Sequence, residues 1–107
     1  MKTIVVTRHP ALVEYLREKG IVHGKIEVLT HATKEDVRGN IIIGVLPLHL
    51  AVEALAVIEI PLTLTEEMRG RELDLETLKR IAGNPRFYSV FEHNNINAAI
   101  AWKGNNS

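Results

Sequence analysis

Hydrophobic positions in this chain fall into short unbroken runs more often than into an alternating pattern. The first is Ile4-Val5-Val6, within a stretch from Lys2 to Thr7. Successive β-branched residues with no polar residue between them predict a strand buried on both faces, as in a parallel sheet. Lys25 to Thr30, carrying Ile26, Val28 and Leu29, predicts a second strand. Ile41-Ile42-Ile43-Gly44-Val45 is the strongest buried-strand signal in the chain. Val57 to Leu64 predicts a fourth strand, in which Pro61 argues for an edge position or a bulge. Arg86 to His93 predicts a fifth.

Between these runs the apolar period becomes helical. Leu12, Tyr15 and Leu16 form one stripe and Glu14, Arg17 and Glu18 the opposite one, predicting a helix from Pro10 to Lys19 that Gly20 ends. Pro47 opens a second helix, Leu48 to Ala56, which is apolar nearly all round except for Glu53. Such a helix is buried, either under the sheet or in a subunit interface. Asp74 is a good N-cap for a third helix ending at Ala82, with Leu75, Leu78 and Ile81 on its inner face.

The polar segment from His31 to Asn40 has room for one helical turn. A connection that short is near the minimum for a parallel crossover, and it carries the chain from one side of the first strand to the other. The predicted strand order is 2-1-3-4, with a topological switch point between the first and third strands. The fold class is therefore α/β, a mostly parallel sheet of five predicted strands. One ligand-binding domain is expected over residues 1–93 and a tail over 94–107. In that tail Ile96 to Trp102 reads as a returning strand or a short helix, and Lys103 to Ser107 as disordered.

Composition narrows the chemistry. Formal net charge is zero over 107 residues, so no global basic field favours DNA, and any anion site is local. A neutral surface suits a homo-oligomer. With no Cys, disulfides, thiolate metal sites and a Cys nucleophile are excluded together. Ser stands only at positions 89 and 107, which removes serine catalysis. The chain carries no Walker loop, no dinucleotide fingerprint and no His-Glu-x-x-His pair, so neither a metal nor a cofactor is expected. No run approaches the ~18 apolar residues of a membrane span, and Met1-Lys2-Thr3 leads straight into a strand, so a cytoplasmic protein is expected.

Three segments remain as candidate chemistry. Thr7, Arg8, His9 and Pro10 follow the first strand, Gly44, Leu46, Pro47 and His49 follow the third, and Arg69, Arg71 and Glu72 follow the fourth. In an open parallel sheet ligands bind outside the carboxyl ends of the strands, so all three are expected on one rim. Two helices would aim their N-termini there, and an anion is the guest that such ends favour. Arg offers a planar fork to phosphate oxygens and His moves a proton near neutral pH. Each has a bland alternative. Arg8 pairs with a carboxylate such as Glu14, His9 caps its own helix, His49 is a core histidine, and Arg69 and Arg71 are simply solvated. His23, His31 and His93 have no supporting context and read as surface residues.

Arg8-His9 after a strand resembles the opening of the histidine phosphatases, which carry Arg-His-Gly. Pro10 replaces that Gly, the chain is shorter than that family's domain, and its later Arg and His motifs find no match. Taken together, Thr7-Arg8-His9-Pro10-Ala11, Gly44-Val45-Leu46-Pro47-Leu48-His49-Leu50-Ala51 and Arg69-Gly70-Arg71-Glu72-Leu73 resemble a family of small CRISPR-associated accessory proteins of type III systems. Ala11 stands where that family typically has Gly. Members are similar to ring nucleases. The resemblance implies a Rossmann-like domain working as a homodimer, which binds a cyclic oligoadenylate second messenger, in particular cyclic tetra-adenylate, and cleaves it. It implies no cofactor. A non-catalytic module that sequesters the same messenger needs the same Arg and helix ends. On the cleaving reading Arg8 and Arg71 stabilise charge, His9 or His49 moves the proton, and Glu72 orients an Arg or a 2′-OH.

Overall fold

A computed structural model describes residues 1–106 of the chain. Five strands, β1 (Thr3–Val6), β2 (Glu27–Leu29), β3 (Ile41–Ile43), β4 (Ala56–Glu59) and β5 (Arg86–Tyr88), form one sheet in the order β2-β1-β3-β4-β5. The first four are parallel, and β5 joins the edge antiparallel to β4. The switch point between β1 and β3 is where the sequence puts it. The fold is that of a small Rossmann-like domain.

The unbroken apolar runs are explained by helices on both faces. Val5 and Ile43 face one core, where Leu12, Tyr15 and Leu16 of α1 (Pro10–Glu18) meet Leu78 of α4 (Leu75–Ile81). Ile4 and Ile42 face the other, closed by Val37 of α2 (Lys34–Val37) and by Leu46 and Ala54 around α3 (Leu48–Ala51). Seven side chains, Ile4, Val5, Leu16, Val37, Ile42, Ile43 and Leu78, are buried to below 2% exposure. They come from both faces, which is what a three-layer arrangement requires.

The short elements hold because their ends are tied. Gly20, at φ +73°, ends α1: its N–H donates to Arg17 O, and Ile21 N–H donates to Leu16 O. Thr33 and Asp36 form a reciprocal capping box on α2, and Asn40 joins that helix to the sheet by accepting from Lys2 N–H and donating to Asp36 O. The Thr33 N–H and hydroxyl hold the Asp36 carboxyl below its ordinary value. Asp74 caps α4 by accepting the Thr77 N–H, and the Thr77 hydroxyl and N–H together hold its carboxyl below the ordinary value.

Four expectations need correction. The second helix does not run to Ala56. It is one turn, because Leu55 N–H donates to Asn40 O and Glu53 O accepts from Gly39 N–H, and these bonds draw the chain back towards β4. Nor does it lie under the sheet: within the chain only Ala51 of α3 is buried, while Leu48 is 74% exposed. Pro61 does not mark an edge strand. β4 lies between β3 and β5 and ends at Glu59, before the proline. Lys103 to Asn106 are helical, as the last turns of α5 (Ile96–Asn106), which Asn95 caps through Ala98 N–H; Ser107 lies outside the described residues. Helix α5 buries no residue, and its Trp102 leans on Phe91 and His93. No helix among the described residues is long and apolar enough to cross a membrane.

Candidate functional site

The carboxyl ends of β1, β2 and β3 open into one cavity of about 440 Å³. Each strand contributes the residues that follow it. Thr7 and Arg8 come after β1, Thr30 and His31 after β2, and Gly44 to Pro47 after β3, above a floor that includes Leu12, Ile60 and Leu62. Among the described residues no Asp or Glu lines it, so Arg8 stands there without a lining carboxylate beside it. Ion pairs among the described residues join Lys34, Arg38 and Lys79 to acidic partners, and Arg8 takes part in none of them.

Backbone geometry sets the walls. Thr7 Oγ1 accepts the His9 N–H at 3.0 Å, closing the turn that presents Arg8 before Pro10 starts α1. Gly44 is the tightest point. Its φ is +146°, and a Cβ built there would stand 2.5 Å from the Val6 carbonyl oxygen. Only glycine lets β1 and β3 come so close while the chain turns into the Val45-Leu46-Pro47 wall. The α1 N-terminus faces this rim, but α3 is a single turn and brings no helix dipole of its own, so one helix end serves the crevice instead of two.

Among the residues singled out in sequence, Thr7, Arg8, Gly44, Leu46 and Pro47 come together in this cavity. The others do not line it. The His9 ring turns away, and its Nδ1 accepts the Leu73 N–H at 3.4 Å. That contact brings the Arg69-to-Leu73 segment against the first motif, on the α1/α4 side of the rim. Arg71 and Glu72 share a separate depression of about 340 Å³ with Glu67 and Asp74, and Arg69 is exposed outside it. Pro10 is the first residue of α1 and lies outside the cavity lining. His49 opens onto a third depression with Lys34, Glu53 and Glu92. Glu53, unpaired in the sequence pattern, is met there by Lys34 at 3.9 Å and Arg38 at 3.8 Å. Among the described residues, no three His, Asp or Glu gather closely enough to hold a metal ion.

Residues 4–90 match the model of a family described as "Putative CRISPR-associated protein (Cas_VVA1548)". The chain belongs to that family. The match takes in all five strands except Thr3, the first residue of β1, and stops before α5. No curated protein and no solved structure gives a significant match. As a CRISPR-associated chain, its carboxylate-free cavity at the strand ends becomes the feature to interpret.

His31, exposed as the sequence suggests, and Thr30 are polar cavity residues that belong to none of the three segments. Their signal was available in kind: they follow β2 just as Thr7 and Arg8 follow β1. It went unread because no motif surrounds them.

Proposed function

We propose that this CRISPR-associated protein is a ring nuclease of type III systems. It binds cyclic oligoadenylate, taken here as cyclic tetra-adenylate, and opens it to linear products, which removes the messenger that activates antiviral effectors. The observation that carries the reading is the cavity between the ends of β1, β2 and β3, with Arg8 exposed at its rim and no carboxylate in its lining. A cyclic oligoadenylate is a compact polyanion with flat apolar bases. Arg8 and the α1 N-terminus suit its phosphates, and the Val45-Leu46-Pro47 wall and apolar floor suit a base. The cavity's volume falls near the low end of small-molecule sites, which run from about 300 to 1,000 Å³. One chain therefore holds part of the ring, and two copies about a two-fold axis hold all of it.

Each RNA linkage brings its own 2′-OH nucleophile. In-line attack on the adjacent phosphorus needs the sugar held in position, charge stabilised on the phosphorane, and protons moved. Arg8 serves the second need, and the Thr7 turn and the Val45-Leu46-Pro47 wall serve the first. The product ends in a 2′,3′-cyclic phosphate.

Incubating the protein with radiolabelled cyclic tetra-adenylate in EDTA tests this. Linear products are the expected result. A ring that is bound but stays intact identifies a sequestering module instead. A ring left unbound, with turnover of a generic phosphomonoester, identifies a phosphatase.

A further inference from the structure

Strand register brings together two side chains that no sequence motif connects. β1 and β2 run parallel, and Val6 opposite Leu29, with Thr7 N–H donating to Leu29 O at 2.9 Å, is the last pair of their ladder. Beyond that pair the chain bends at Arg8 on one side and at Thr30 and His31 on the other, so the segments leaving two neighbouring strands carry both residues to one rim. Both line the same cavity. The alternatives are placed elsewhere. His9 is turned onto Leu73 N–H, and for its Nδ1 to accept that bond the ring proton sits on Nε2, so its free nitrogen is a donor and not an acceptor. His49 opens onto another depression, His23 lies at the opposite end of the strands beside Lys2 and Lys25, and His93 packs against Trp102. Among the described residues, His31 is the histidine that lines the cavity.

We propose that His31 is the base of the ring-opening step, paired with Arg8 as the phosphate clamp. The assignment rests on the ring nuclease reading above. The His31 imidazole takes the proton of a 2′-OH. The freed oxygen forms the O2′–P bond, the P–O5′ bond breaks, and the departing 5′ oxygen takes a proton from water. The imidazolium then returns its proton to solvent. The first cut is an isomerisation: no water is consumed, and a ring becomes a chain with a 5′-OH and a 2′,3′-cyclic phosphate.

The test compares wild type, His31→Ala and His31→Gln on radiolabelled cyclic tetra-adenylate under single-turnover conditions. His23→Ala serves as control, circular dichroism checks folding, and binding of the intact ring is measured separately. His31→Ala and His31→Gln are expected to cleave about 10²-fold more slowly or worse while still binding the ring, and added imidazole is expected to restore part of the His31→Ala rate. Wild-type cleavage by a folded His31→Ala overturns the His31 assignment and leaves the ring nuclease reading standing. Loss of ring binding in both variants, without imidazole rescue, also overturns it, since His31 then holds the ligand instead of moving its proton. A wild type that leaves the ring intact overturns the ring nuclease reading and the assignment with it.

Discussion

The Leu73 backbone N–H donates to His9 Nδ1 across 64 residues of sequence, at 3.4 Å. This long hydrogen bond ties the turn after β1 to the segment leading into α4. It makes His9 a structural joint between two motifs, with its ring directed away from the cavity. His9→Ala is therefore expected to cost about 0.5–1.5 kcal/mol of stability, nearer the lower figure for so long a bond. Urea unfolding reads this directly. The same variant is expected to lose less cleavage than His31→Ala, and the reverse ranking would return His9 to the centre of the site.

Arg8 is the cavity's exposed cation, with no carboxylate in the lining to hold it. Arg8→Ala is expected to weaken binding of cyclic tetra-adenylate by about 10- to 100-fold, the scale of losing one charge-assisted hydrogen-bonding group. Arg8→Lys keeps the charge without the planar fork and falls between. Equilibrium binding at fixed salt checks the order.

Gly44 is a steric requirement. Alanine there would set a Cβ 2.5 Å from Val6 O at a φ of +146°. Gly44→Ala is expected to destabilise the fold by about 1–3 kcal/mol, the cost of a strained backbone, and to lower ring binding as β1 and β3 separate. Denaturant midpoints and the binding assay measure the two effects. A neutral effect on both would show that the close approach is dispensable.

Core and surface leucines should separate sharply. Leu16 is fully buried beneath the sheet, whereas Leu48 is 74% exposed beside the cavity wall. Leu16→Ala is expected to cost about 2–5 kcal/mol. Leu48→Ala is expected to stay within about 0.5 kcal/mol of wild type, as a surface substitution. Chemical denaturation of both variants, at a concentration that keeps the chain monomeric, makes the comparison.

Acid should weaken the helix ends first. The Asp74 and Asp36 carboxyls are held below their ordinary value, chiefly by hydrogen bonds from Thr77 and Thr33. A depressed folded-state pKa means that their stabilising contribution is present above the unfolded value, about 3.9, and is lost as pH falls through the folded one. Asp74→Asn keeps an acceptor for Thr77 N–H but cannot titrate. The gap between it and wild type is expected to shrink as pH falls below about 4, read from thermal midpoints across that range.

Much of this architecture was legible in the chain. The β-branched run Ile41-Ile42-Ile43 points to burial on both faces, and the short polar crossover after β2 is compatible with the 2-1-3 order that the sheet adopts, which together locate the crevice. Asp74 marked the start of α4 because a cap is a local signal. What stayed hidden depended on tertiary partners. The apolar stretch Leu48 to Ala56 has helical propensity throughout, but the Asn40 carbonyl and the Gly39 N–H capture its second half. Pro61 carries no edge signal because β4 ends at Glu59, two residues before it. Arg8 was found through its motif. His31 had none, and its relation to Arg8 exists only once Val6 is set opposite Leu29. Arg71 and Glu72 kept company with Arg8 in sequence order but not in the cavity, since the chain passes them to the far side of His9.

Mass spectrometry of the reaction with cyclic tetra-adenylate in EDTA bears most directly on the central claim. Ring opening by the substrate's own 2′-OH predicts linear oligoadenylates carrying a 5′-OH and a 2′,3′-cyclic phosphate, and no product from a ring whose 2′ hydroxyls are methylated. Recovery of the unmodified ring intact, or cleavage of the methylated ring at the same rate, would contradict the account.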